Sequence, residues 1–294
     1  MLSFTDCATN KLLKDKLFPI LNKDVHTIPI DFKPRFRGGF SQIADKEYVL
    51  SSIEKIVKQG GILIGGGSWQ DSPTEISYRD KIILPLLKEV ARPGSRLRLF
   101  NICFSAQVFA DAMGKKYYKS ELKTVPGLLE IGPTPIELTK KGQSHPWFKN
   151  FPKQATFSTT HSGHIIDKFP GKQRQLLPSE IQVIPLIKSS ITKLPLAWST
   201  FNNHVFSTII HPEIDLIGED AKISKDIFLI QSQIESAAES IKAMYDIDPA
   251  KVIFQNWQQI IDQNGNPRIV ANGGQALLIG GLLQLAKSIP RDEP

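Results

Sequence analysis

The chain has 294 residues, 41% of them hydrophobic and 22% charged, which is ordinary globular usage and excludes wholesale disorder. Two cysteines exclude a disulfide scaffold and fit a reducing, cytoplasmic compartment. The 36 Lys and Arg against 29 Asp and Glu leave a charge of +7. These cations are scattered, without zinc-ligand spacing, helix-turn-helix punctuation or an Arg-rich arm, so no nucleic-acid partner is expected.

In chain order, the opening MLSFTDCATNKLLKDK has no basic start followed by an apolar core, so no signal peptide is expected. Residues 25–32 (VHTIPIDF) alternate like a strand. Tyr48, Leu50, Ile53, Ile56 and Val57 recur at helical spacing in a segment that closes on a glycine C-cap signal. Residues 61–64 (GILI) form a compact apolar strand that runs into Gly65-Gly66-Gly67. Residues 82–90 read as helix, and a Pro93-Gly94 turn leads into a strand over 97–102. Strands alternating with helices predict an α/β fold with a largely parallel sheet flanked by helices.

After about residue 150 the strands become shorter, over 155–160, 181–187, 196–200 and 205–210. Asn202-Asn203 makes a hairpin-type turn between the last two, so a small antiparallel region is expected. Ile227, Ile230, Ile234, Ala237, Ala238, Ile241 and Met244 mark one face of a helix. A strand over 268–270 and a helix from about Gly274 close the chain. The uncharged stretch 269–286 contains Asn272, Gln275, Gln284 and four glycines, so it reads as a buried strand and core helix; no membrane span is expected. No Pro/Ser-rich linker sets off the tail. The expected organisation is a domain over 1–215 with a mostly helical extension, 216–294, packed on it.

Three segments carry chemistry. Cys103 falls between a buried strand and a helix that opens with small residues, where a sharp turn pushes a side chain out above the sheet. A helix N-terminus there favours negative charge, hence the thiolate, and the Phe104 amide would face a developing oxyanion. The alternative is an inert buried cysteine. His211 follows an apolar strand in Ile210-His211-Pro212-Glu213. Its imidazole could take and return a proton, with Glu213 orienting it and Pro212 holding it extended; a plain structural turn is the alternative. The run Gly65-Gly66-Gly67 is either a tight turn or a source of oxyanion-binding amides.

Taken in order, these segments resemble the class I glutamine amidotransferase family. The family's Gly-x-Cys-x-Gly-x-Gln nucleophile motif corresponds to residues 101–107 (NICFSAQ), and its His-Pro-Glu motif to His211-Pro212-Glu213. Its oxyanion loop corresponds to residues 62–67, and Thr159-Thr160-His161-Ser162-Gly163-His164 is similar to its substrate-side His-Ser segment, with Leu177-Pro178 following. Asn101 and Ser105 stand where the family pattern has glycine, and the turn is expected to survive with an altered shape. The resemblance covers about residues 55–215.

It implies a flavodoxin-like sheet and a triad of Cys103, His211 and Glu213. It also implies glutamyl binding by Gly66, Gly67, Phe104, Gln107, His161 and Ser162. No cofactor or metal is implied. The substrate would be glutamine or a γ-glutamyl compound, and ammonia delivery would need a synthetase partner in trans; the oligomeric state is left open. Three readings stay open: a glutaminase-type amidotransferase, a stand-alone γ-glutamyl peptidase or hydrolase with the same triad, and a catalytically silent binding module.

Overall fold

The computed structural model describes residues 2–5, 28–31, 46–65, 84–103, 105–107, 109–110, 122–124, 130–148, 151, 155–161, 163–165, 183–190, 193–212 and 274–290. The helix expected over 227–244 and the strand over 268–270 lie outside these residues. The first strands are β1 (Leu2–Thr5), β2 (Ile28–Asp31), β3 (Gly61–Gly65), β4 (Leu97–Ile102), β5 (Leu122–Thr124) and β6 (Glu130–Leu138). They are followed by β7 (Thr156–His161), β8 (Gly163–Ile165), β9 (Ile184–Ser189), β10 (Pro195–Thr200) and β11 (Val205–Thr208). The helices are α1 (Lys46–Gln59), α2 (Leu84–Val90), α3 (Lys140–Gln143) and α4 (Gly274–Lys287).

Nine of these strands share one sheet in the order β2-β1-β3-β4-β11-β10-β9-β6-β7, while β5 and β8 pair separately. From β2 to β11 every neighbour is parallel, and the order matches the 2-1-3-4-5 winding of flavodoxin-like sheets. From β11 to β7 every neighbour is antiparallel. The sheet is therefore mixed, which corrects the expectation of a largely parallel sheet with a small antiparallel region.

The difference comes from β6. Its sequence EIGPTPIEL contains Pro133 and Pro135, which have no N–H for a ladder and argue against a strand. In the fold β6 joins two neighbours, with residues 130–135 in register with β7 and residues 136–138 with β9. It thereby continues the antiparallel half of the sheet.

Every residue of β4 and β11 is buried, as expected of central strands covered on both faces. Helix α1 contributes Ile53 and Ile56 to the core, and α2 contributes Leu86, Leu87 and Val90. The end of α1 is set by Gly60, whose N–H bonds the Ile56 carbonyl at 2.8 Å. Gly60 takes φ 79°, and a Cβ there would stand 2.5 Å from Arg96 Cβ, so only glycine fits this cap.

Helix α4 is the apolar segment of the tail, and it packs against the sheet. Leu277, Leu278, Leu282 and Leu285 join Phe100, Trp147 and Phe206 in one core cluster. Close approach is possible because Gly281 faces Phe100, where a Cβ would be 3.1 Å from the ring. The Trp147 and Phe206 rings meet edge-on at 4.6 Å, a contact worth about 0.5–1.5 kcal/mol beyond its buried area. At the end of α4, Arg98 Nε donates to Ser288 Oγ at 2.7 Å, and a second guanidinium N–H donates to the Ser288 carbonyl. Among the described residues, no helix is long and apolar enough to cross a membrane.

Candidate active site at the carboxyl edge of the sheet

Strands β3, β4 and β11 lie side by side, with Gly65 opposite Asn101 and Asn101 opposite Ser207. Their carboxyl ends therefore open together at one edge of the sheet, the place where α/β folds put their ligands. Just beyond these ends the chain carries Gly66-Gly67, Cys103 and His211.

At the end of β4, Cys103 has φ 46°, a left-handed conformation that costs a non-glycine residue about 1–3 kcal/mol. Two backbone hydrogen bonds hold it there. Its N–H donates to the Thr208 carbonyl at 2.7 Å, and its own carbonyl accepts from Gln107 N–H at 3.0 Å. The first bond extends the β4–β11 ladder by one residue. The second is the opening bond of a helix whose described residues are 105–107 and 109–110. Between Ile102 and Ser105 the chain thus passes from strand to helix with Cys103 at the turn, the geometry of a nucleophile elbow. Cys103 is 7% exposed and is not disulfide-bonded. The helix N-terminus adjoins it, where its positive end favours an anion.

His211 lies past the end of the neighbouring strand and is likewise 7% exposed. The approach to it is built by Thr208, whose hydroxyl donates to the Leu196 carbonyl at 3.1 Å and accepts from Ile210 N–H at 3.2 Å. Ile209 N–H also donates to the Leu196 carbonyl, at 2.9 Å. The last of these bonds continues the β10–β11 pairing by one residue, and together they fix the backbone that leads into His211. Cys103 and His211 thus belong to the same edge, at the ends of adjacent parallel strands.

Gln107 sits on the first helical turn after Cys103 and is half-buried. His161 ends β7, the outermost strand, with β6, β9 and β10 between it and β11. Gly66, Gly67, Phe104, Ser162 and Glu213 lie outside the described residues. Among the described residues no group of His, Cys, Asp and Glu is placed to hold a metal.

In the sequence, Asn101 and Ser105 stand out only as replacements for glycine. In the structure Asn101 Oδ1 accepts from Ser105 Oγ at 3.2 Å, and Asn101 Nδ2 donates to Ser207 Oγ at 3.2 Å. Two small polar residues four apart across the turn were a signal for the first bond. Ser207 carried no signal, because it is 106 positions from Asn101.

No family model matches the sequence, and no curated protein matches it. Solved structures do match. A glutamine amidotransferase from Thermotoga maritima aligns over 98% of this chain and 99% of its own, with a TM-score of 0.52 and 13% identity. A protein from Thermoplasma acidophilum described as a proposed GMP synthase component aligns over 83% of this chain and 97% of its own, with a TM-score of 0.44 and 16% identity. PurLQS from Thermotoga maritima covers 82% and 96%, with a TM-score of 0.43 and 12% identity. The described residues share the fold of the first of these, and at that identity the likeness is one of fold.

Proposed function

We propose that this chain is a cysteine-nucleophile amidohydrolase of the class I glutamine amidotransferase type, acting on the γ-carboxamide of glutamine or a related γ-glutamyl amide. The observation that carries this reading is Cys103 at φ 46° on a strand-to-helix elbow, beside the strand that leads to His211. An inert core cysteine has no need of a strained left-handed backbone, whereas a nucleophile at an elbow does. The domain reading follows the same lines: residues 1–215 form the amidotransferase-like part, and the extension 216–294 packs on it through α4.

In this mechanism the Cys103 thiolate attacks the γ-carbonyl carbon, and the carbonyl π electrons move onto oxygen. Amides of Phe104 and of Gly66 or Gly67 hold that oxyanion, each donor worth about 3 kcal/mol. Collapse of the intermediate breaks the C–N bond, and His211 gives its proton to the leaving ammonia or amine. His211 then takes a proton from water, which attacks the thioester and releases glutamate and the thiol. Glu213 orients the imidazole, while Gln107 and the His161-Ser162 backbone contact the glutamyl group. Ammonia transfer, as opposed to simple hydrolysis, requires a synthetase partner in trans.

The test is the mass of the whole protein after incubation with a diazo-ketone analogue of glutamine. Wild type is expected to gain a single adduct on Cys103, and Cys103→Ser none. Hydrolysis of glutamine should fall by about 10³-fold or more in Cys103→Ser, since triad members act as a unit. A folded wild-type protein that stays unmodified would count against this site and favour a silent module. Turnover of γ-glutamyl amides without any partner would place the chain among hydrolases.

A further inference from the structure

Beneath the strand ends lies a buried polar row that links all three motif-bearing segments. Asn101, Ser105 and Ser207 are 3%, 1% and 0% exposed, and the Asn101 side chain bonds both hydroxyls. Ser105 also rests on β3, since a Cβ at Gly65 would stand 2.3 Å from Ser105 Oγ and 3.3 Å from Asn101 Oδ1. Asn101 precedes Cys103 by two residues and Ser105 follows it by two, so their bond spans the base of the elbow. Ser207 adjoins Thr208, whose carbonyl receives the Cys103 N–H.

We propose that Asn101, with Ser105 and Ser207, is a positioning unit that fixes the Cys103 elbow against the strand leading to His211. It replaces close glycine packing with a hydrogen-bonded brace. Each member is enclosed, so a partner lost to mutation cannot be replaced by solvent without local opening. Gly65 belongs to the same unit, because its bare Cα leaves room for Ser105 to pack onto the face of β3 beside the Asn101 side chain. It follows that Asn101→Gly with Ser105→Gly loosens the elbow, although glycine is the residue type the amidotransferase pattern carries there. The geometric part of this inference stands on the hydrogen bonds alone; its consequence for reactivity rests on the reading of Cys103 as nucleophile.

The experiment uses the full chain as wild type, Asn101→Ala, Ser207→Ala and the double variant. Amide hydrogen exchange is read at Cys103 and Gln107, the two N–H groups that close the elbow. Inactivation by the diazo-ketone glutamine analogue is resolved into its maximal rate and its half-saturating concentration. Exchange at both amides is expected to rise about tenfold or more, while the amides of α2 keep their rates. The maximal inactivation rate is expected to fall about tenfold with the half-saturating concentration unchanged, and the double variant to lose no more than Asn101→Ala, as for residues acting through one another.

Unchanged exchange at Cys103 and Gln107, or an equal rise at every amide, would overturn the brace; the second result would mark a merely global structural role. If Asn101→Ala does not fold, Ser207→Ala, which removes one hydroxyl, carries the same comparison. Iodoacetamide separates the two readings. A wild-type Cys103 that iodoacetamide alkylates and the analogue does not would end the amidotransferase assignment, and exchange at the elbow amides would still decide the brace.

Discussion

The backbone of Cys103 makes a prediction that is independent of what the thiol does. At φ 46° any side chain brings Cβ too close to its own backbone, at a cost of about 1–2 kcal/mol. Glycine is free of that cost. In a helix or strand, glycine is less stable than alanine by about 0.5–1 kcal/mol; at this elbow the order should invert. Cys103→Gly is expected to be more stable than Cys103→Ala by about 1 kcal/mol, with both variants inactive. Urea midpoints of the pair read the difference, since neither keeps the sulfur and most of the lost packing is common to both. Alanine emerging as the more stable variant would mean that the left-handed backbone is not held in solution.

At the scale of elements, the C-terminal end of α4 is tied to the sheet by a buried cation, in addition to the leucine packing along the helix. Arg98 is 1% exposed and gives its N–H groups to the Ser288 side chain and carbonyl and to the Ser95 and Leu97 carbonyls. Burial lowers its pKa to about 10, so it stays charged at neutral pH, where a cation suits the carbonyl end of a helix. Arg98→Met keeps much of the volume and leaves those carbonyls bare, at about 1–3 kcal/mol. Hydrogen exchange should then rise first in the last turn of α4, and a uniform rise across the molecule would show that the fastening is not local. The core face of α4 was legible in its leucines and the ends of α1 and β4 in glycine, periodicity and apolar runs. The strand β6 was hidden by Pro133 and Pro135, because proline marks a sheet as interrupted when read locally and the partner strands are distant in sequence. While Gly66 and Gly67 lie outside the described residues, Cys103 and His211 were legible as candidates that follow two neighbouring strands. The Ser207 end of the brace was not, since a hydroxyl on a buried strand looks the same with or without an amide across from it.

Across the whole molecule, the carboxyl edge is separated from a second cluster at the opposite end of β4 and β11. There the turn over 201–204 carries Asn203 and His204. His145 Nε2 pairs with Asn203 Oδ1 at 2.9 Å, and Trp147 N–H donates to His145 Nδ1 at 3.4 Å. That pattern suits a neutral ring with its proton on Nε2, and a second proton on Nδ1 would face the Trp147 N–H. Burial holds the pKa of His145 below 6.5, opposed by its bond to Asn203. Burial also lowers that of His204, helped by the nearby Arg98 charge and opposed by a hydrogen bond to the Val90 backbone. In each case the unfolded chain binds a proton more readily than the folded one. The stability they contribute is therefore complete above about pH 6.5 and is lost as pH falls toward the lowered folded values, by at most about 1.4 kcal/mol per pH unit for each histidine. The loss belongs to this far edge, a strand length of roughly 20 Å from Cys103. His145→Gln should therefore flatten the decline of urea stability between pH 7.5 and 5 while leaving the pH profile of Cys103 modification by the glutamine analogue where it is in wild type. An unchanged stability slope would remove His145 as its source, and a displaced modification profile would show that the two ends of the sheet are coupled.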